Sequence, residues 1–313
     1  MGGDRAEVRL VGAGGEPVDL WRTLVSHGFH DLPPLRVDEE ARTLELTFAL
    51  GRRARTVRVG SGRRGSAAVE SLGAPFGKDR DCVLQVVAHV LRLDEDLSEF
   101  YELVAADPDL AWAATGAGRM LRSPTVFEDV VKTICTTNCA WSATVRMVGA
   151  LVDHLGAKDR ATGRHAFPSP AAMAEADESF YRDVVRAGYR GAYLRALAVS
   201  VADGSLDLEA LATTSGADLA DDEVALRQLA LPGVGPYAAA HVMMLLGRYS
   251  RLILDSWTRP KYARVAGARK TPADRTIERR FRRYGRYAGL AFWLYLTRDW
   301  VPEAAQTALA FPG

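Results

Sequence analysis

The chain has 313 residues, is 48% hydrophobic and carries a formal net charge of only +1, which is enough length for one large or two ordinary domains with their own cores. No run approaches 18 apolar residues, and the opening MGGDRAEVRLVGAGGEPVDL lacks an apolar signal segment. A membrane partner is therefore not expected, and an intracellular, cytoplasmic location is. Arginine and alanine are abundant and lysine scarce, the usage of a GC-rich bacterial genome. The three cysteines, Cys82, Cys135 and Cys139, are odd in number and lack C-x-x-C spacing, which argues against a disulfide framework or a four-cysteine metal site. Cys135 and Cys139 would share one helix face as core thiols.

In chain order, residues 19–27 (DLWRTLVSH) suit a short helix. TLELTFAL (43–50) and ARTVRVG (54–60) alternate about Gly51-Arg52-Arg53, the pattern of an antiparallel hairpin. SGRRG (61–65) reads as a loop and GAPFG (73–77) as a boundary, so residues 1–75 are expected to form a small α+β subdomain and 76–313 a helical core. From Asp81 onward apolar residues recur at helical spacing: CVLQVVAHVLRL, LSEFYELVAAD, VFEDVVKTICTTN behind a Ser-Pro-Thr start, and WSATVRMVGALVDHLG with Gly156 as a C-cap. AAMAEADESFYRDVV, YLRALAVSVADG, LDLEALATTSG and DDEVALRQLA continue the series. No internal repeat of 20–50 residues is visible. The fold class predicted is mainly α.

Charge is unevenly spread. Residues 248–286 hold 13 Lys and Arg against Asp255, Asp274 and Glu278, so this segment carries +10. One face of the protein should attract a polyanion, unless these arginines only solvate a helix surface. Just before it lies LPGVGPYAAAHVMMLLGRYSRLILDSW (231–257). Gly233 and Gly235 permit positive φ and a very short turn, and Pro236 costs nothing at the start of a helix. Such a turn offers free backbone N–H groups to a phosphate oxygen. Asp255 follows about twenty residues later, placed to cap the next helix, to act as a catalytic carboxylate, or both.

The order L-P-G-V-G-P, small-residue helix, aliphatic triplet and aspartate resembles the helix-hairpin-helix DNA glycosylase superfamily, and Asp255 stands where that family has its essential acid. FYELVAADPDL (100–110), residues 122–156 and RDVVRAGYRGAYLRALAVSVADGSLDLEAL (182–211) are similar to the helices of its alkylpurine (3-methyladenine) and 8-oxoguanine branches. The N-terminal hairpin region resembles the subdomain that precedes their helical core. The resemblance thus implies two helical subdomains behind a small α+β one.

It also implies a chemistry. Breaking an N-glycosidic bond develops oxocarbenium-like charge on the sugar, which a carboxylate at Asp255 would stabilise while orienting water. Members that also nick the strand resemble one another in a lysine where this chain has Tyr237, so no lyase activity is expected. Lys261 is too remote to substitute and is expected, with Arg259, on the DNA backbone beside Leu231, Gly233, Val234 and Gly235. Tyr237, His241, Trp257 and Trp141 are the candidate pocket for a flipped base, where stacking favours cationic alkylated purines. ICTTNCAWSA (134–143) is closer to the 8-oxoguanine branch, which makes Asn138 a candidate filler of the gap left by that base or simply a helix-ending residue. The partner implied is double-stranded DNA with a damaged base, met by a monomer associated with the bacterial nucleoid. No cofactor and no iron–sulfur cluster are expected, although the hairpin carbonyls of Leu231 and Val234 would suit Na⁺ or K⁺. The alternatives are a glycosylase for an oxidised or deaminated base and a non-catalytic DNA-damage binder.

Overall fold

Residues 43–61 form the hairpin their alternation predicts, and three further strands extend it. The computed structural model describes residues 4–51, 53–213 and 219–301. Strands β1 (Arg5–Arg9), β2 (Leu35–Asp38), β3 (Thr43–Leu50), β4 (Arg53–Ser61) and β5 (Ser66–Ser71) make an antiparallel sheet in the order β1-β5-β4-β3-β2. Thr47 pairs with Thr56 and Leu46 with Val57 at its centre. β1, β2 and β5 are short and carry charges, so their pattern alone did not separate them from loop.

The helices are α1 (Leu20–Leu24), α2 (Arg80–Val90), α3 (Ser98–Val104), α4 (Val126–Thr136), α5 (Trp141–Leu155), α6 (Pro170–Glu175), α7 (Arg190–Ala202), α8 (Ala210–Thr213), α9 (Asp221–Leu229), α10 (Pro236–Leu245), α11 (Thr258–Val265), α12 (Asp274–Phe281) and α13 (Ala288–Thr297). The chain is mainly α. Thr125 starts α4 by accepting a hydrogen bond from the Glu128 N–H at 3.2 Å. The helix expected over AAMAEADESFYRDVV breaks after Glu175: Ala176 is extended, and Asp177 accepts from the Phe180 N–H at 2.8 Å before a π-turn at Phe180–Val184. Of the helix expected over LDLEALATTSG, residues 214–216 lie outside the described residues.

Gly156 ends α5 with φ −70° and ψ 143°, not in the left-handed conformation of a glycine C-cap. Its glycine is required by space instead: a Cβ there would lie 2.0 Å from the Ala166 carbonyl oxygen. Cys139 is not on the face of Cys135, because α4 ends at Thr136; Cys135 is buried and Cys139 half-buried beyond the helix end.

Among the described residues two large hydrophobic clusters form, beside a small one of Val224, Ala225 and Met243. Leu44, Leu46, Phe48, Val57, Val59 and Val69 of the sheet pack against Val83, Val87 and Val90 of α2, each large side chain contributing roughly 1.5–3 kcal/mol. The second cluster gathers α4, α5, α7, α10 and α13, and Phe29 and Leu32 join it from the N-terminal region. The Trp293 indole N–H donates to the Ser26 carbonyl at 2.7 Å, and Thr56 meets Thr162 at 2.9 Å, tying the two regions together. α10 is buried from Ala238 to Leu245, since three consecutive alanines let it pass close to α4 and α9. That central helix positions the candidate site.

Candidate active site

α9 and α10 meet in the turn Leu231–Gly235. The Val234 N–H donates to the Leu231 carbonyl at 3.2 Å, and the Val234 side chain is buried in the core. Only Gly233 uses the left-handed region, at φ +80°, and a Cβ on it would come within 2.8 Å of the Tyr193 ring. Gly235 is extended at φ −97° and ψ −176°, the N-cap of α10, and a Cβ built there meets nothing within 4 Å. The fold itself therefore makes no demand for glycine at 235; a bare backbone there leaves room for a ligand to approach the first turn. Pro236 occupies the first helical position, and among the described residues no side chain caps the N–H groups behind it.

Asp255 faces this turn from the segment before α11. Its Oδ1 accepts from the Trp257 N–H at 2.8 Å and the Thr258 N–H at 2.6 Å, while its own N–H donates to Thr258 Oγ1 at 2.8 Å. This reciprocal box starts the helix and immobilises the carboxyl. Oδ2 accepts no hydrogen bond among the described residues, and Asp255 is half-buried in a cleft wall. The capping role is thus compatible with a second role for the free oxygen.

The cleft holds about 750 Å³ and is lined on one side by Gly233, Gly235, Pro236, Tyr237 and Asp255, on the other by Thr136, Thr137, Asn138, Cys139 and Tyr189. That volume suits a nucleoside-sized ligand. The Tyr237 hydroxyl lies 3.2 Å from Thr136 Oγ1, and burial pushes its phenol up, so it stays neutral. Asn138 adopts φ +47° just past the end of α4 and donates from Nδ2 to the Tyr189 hydroxyl at 3.3 Å. Tyr189 is 54% exposed at the cleft mouth. Arg190 is buried and spends its guanidinium on the Thr137 carbonyl and on the Tyr189 ring, 4.6 Å from the centroid. It fixes this lip to the start of α7.

The other residues singled out from the sequence are dispersed. His241 lies one turn along α10 from Tyr237, its ring 6.0 Å away, and is buried behind the cleft against Phe29 at 4.7 Å and His27 at 5.9 Å. Burial lowers its pKa to about 4, so the imidazole is neutral, and its Nδ1 is buried without a partner among the described residues. Trp257 does not line the cleft: its indole packs on Trp293 and Trp300 at 5.7 and 5.9 Å, and its share in the site is the backbone N–H that holds Asp255. Trp141 lies outside the lining too, against Gly28. Lys261 pairs with Asp299 at 2.6 Å, away from the cleft. Arg259 does line it, its guanidinium held by both oxygens of Asp274 at 2.7 and 2.9 Å.

Sequence reading missed Tyr189, Arg190 and Thr258. The D-x-x-T spacing of a reciprocal cap was a usable signal for Thr258. Nothing local to Tyr189 distinguished it from a core tyrosine, since its exposure depends on how α7 meets the end of α4.

No known protein-family model matches the chain, and no curated protein matches it. Solved structures do. The chain is similar to a structure of MBOgg1 in complex with a low affinity DNA ligand, at TM-score 0.71 and 18% identity over 96% of this chain and 97% of that one. It is similar to the 3-methyladenine DNA-glycosylase from Archaeoglobus fulgidus, at TM-score 0.68 and 20% identity over 95% and 100% of the two chains. The apo-form 8-oxoguanine glycosylase/lyase of Clostridium acetobutylicum gives TM-score 0.66 and 19% identity over 94% and 96%. At such identities the likeness is one of fold, extending over nearly the whole chain.

Proposed function

We propose that this protein is a base-excision DNA glycosylase that hydrolyses the N-glycosidic bond of a damaged purine, of the alkylated class, in double-stranded DNA. The observation that carries the reading is Asp255: one carboxyl oxygen fixed by two backbone N–H groups, the other unspent, in a cleft wall shared with the glycine turn. The fold shared with structures of DNA glycosylases supports it.

In this reading the turn at Leu231, Gly233, Val234 and Gly235 holds a backbone phosphate through main-chain N–H groups, and Arg259 adds a cation beside it. The damaged nucleotide is turned out into the cleft. The C1′–N bond breaks with its electron pair going to the base, and Asp255 stabilises the cationic sugar. Water then attacks C1′ and loses its proton to Asp255 or to solvent. A cationic alkylated purine leaves as a neutral base, so no general acid is required. Tyr237 and the neutral His241 behind it form an uncharged wall suited to such a base. Tyr237 has no amine, so no imine forms and the strand stays intact. Hydrolysis exchanges a base for water and needs neither a redox cofactor nor an iron–sulfur cluster. The carbonyls of Leu231 and Val234 are hard oxygen donors; that of Leu231 accepts only the Val234 N–H in the turn and keeps a lone pair for Na⁺ or K⁺. The protein would scan DNA as a monomer in the bacterial cytoplasm.

Asn138 favours a second reading, an oxidised or deaminated base: its left-handed turn stands at the cleft mouth beside Tyr189. One experiment separates the readings. Duplexes carrying 7-methylguanine, 3-methyladenine, hypoxanthine or 8-oxoguanine are incubated with wild type and Asp255→Asn, then treated with or without alkali. Breaks that need alkali, occur with the methylated bases and vanish in the variant are expected. Breaks confined to hypoxanthine or 8-oxoguanine establish the second reading. Tight binding with no release from any duplex establishes a non-catalytic binder.

A further inference from the structure

The Arg-rich segment at 248–286 divides into two sets once its partners are traced. Arg280 pairs with Asp109 at 3.0 Å, Arg283 with Asp107 at 2.9 Å, and Arg286 with Glu99. Arg248 and Arg251 pair with Asp221 and Asp222, both at 2.8 Å. These cations are spent inside the protein. Arg264, Arg269, Lys270, Arg275, Arg279 and Arg282 are all exposed and make no ion pair or side-chain hydrogen bond among the described residues.

Three of them are ordered along one line. Arg275 and Arg279 lie on α12, and Arg282 follows in helical conformation at φ −54° and ψ −28°. Their spacing of i, i+4 and i+7 places them on one face, opposite the buried Ile277. Seven residues rise about 10 Å, the distance over which one DNA strand presents about three phosphates. The line also leads into the cleft system. Arg282 lines a groove of about 630 Å³ together with Glu278, Gly285, Arg259, Leu254, Pro236 and Tyr237, and the last four belong to the Asp255 cleft as well.

We infer that Arg275, Arg279 and Arg282 form a phosphate-binding lane for duplex DNA flanking the site, and that Arg248, Arg251, Arg280, Arg283 and Arg286 take no part in it. Glu278 lies in the lane and opposes it: it is exposed and has no cationic partner among the described residues. Asp274 is neutralised by Arg259. The inference rests on the DNA-binding part of the proposed function and not on its chemistry.

The test measures binding of a fluorescent undamaged duplex across a salt series. It uses the full chain, the triple variant Arg275→Gln/Arg279→Gln/Arg282→Gln, and a control of equal charge, Arg5→Gln/Arg9→Gln/Arg36→Gln, on the two edge strands of the sheet. Each lost phosphate contact removes about 0.9 from the slope of log K against log salt, so the lane variant should lose about 2 to 3 and the control nothing. Glu278→Gln should shift affinity in the opposite direction, tightening it several-fold at low salt. Thermal melts confirm that all variants are folded. Equal slopes in the lane and control variants overturn the lane while leaving base excision standing. Absence of any duplex binding by the full chain overturns both. A reduced slope in a chain that releases no base supports the lane and removes only the chemistry.

Discussion

Asp255 and Thr258 hold each other: the Thr258 N–H donates to Asp255 Oδ1 at 2.6 Å, and the Asp255 N–H donates to Thr258 Oγ1 at 2.8 Å. A cap of this kind removes the rotational freedom of the carboxyl before any ligand arrives. Thr258 is fully buried, so its hydroxyl has no water to replace that partner. Thr258→Val keeps the shape but leaves the Asp255 N–H unpaired, at a cost of about 1–3 kcal/mol. A lower melting temperature is expected, with base release slowed roughly tenfold and duplex affinity unchanged. A rate equal to wild type in single-turnover assays would show that the box serves the helix alone.

Asp255→Asn isolates the charge. Asparagine is as good a helix cap as aspartate, so stability should change by less than about 1 kcal/mol. Base release should fall by roughly 10²–10³-fold or more, the scale for removing a transition-state electrostatic partner. Retained release in this variant removes Asp255 from the chemistry.

Tyr237→Lys tests the expectation that the strand is left uncut. Tyr237 lines the cleft beside Asp255, so a lysine there would bring an amine towards C1′. The variant should yield a covalent complex with damaged DNA on borohydride reduction, whereas wild type yields none. Trapping by wild type would mean another amine reaches the sugar.

Tyr189→Ala should weaken binding to lesion duplex by roughly 5–100-fold, the scale for losing one base–aromatic stack. Its exposed position means the melting temperature should hardly move. Tyr189→Phe keeps the ring and loses the hydroxyl with its hydrogen bond from Asn138, so it should bind nearly as wild type. Equal loss in both variants would assign the effect to the Asn138 contact.

His241 gives a pH signature. Its pKa is about 4 in the folded protein, because burial disfavours the cation, against about 6.5 when unfolded. Between these values the unfolded chain binds the proton and the folded one does not, so this residue's contribution falls as pH drops from about 6.5 to 4. Relative to wild type, His241→Phe should lose less stability across that window, with the difference changing by up to about 1.4 kcal/mol per pH unit. Parallel curves for the two proteins would contradict a buried neutral imidazole.

The sequence by itself determined what depends on neighbours along the chain. The β3–β4 hairpin follows from strict alternation, the α10 start from Gly-Pro, and the mainly helical body from apolar spacing. The opposition of a glycine turn and an aspartate was legible because a short motif spells both. Tertiary structure decided everything that depends on which faces meet. Trp257 and Tyr237 are both aromatics near Asp255, yet Trp257 turns to Trp293 and Trp300 while Tyr237 lines the cleft. Gly233 and Gly235 read alike, but only the first needs positive φ. In the basic stretch, Arg280 and Arg279 are adjacent in sequence, and one is bound to Asp109, distant along the chain, while the other has no ion pair among the described residues. Local pattern fixes backbone conformation, because its hydrogen bonds and sterics span a few residues. Side-chain partnership is set by contacts between segments far apart in sequence, which only the packed fold brings together.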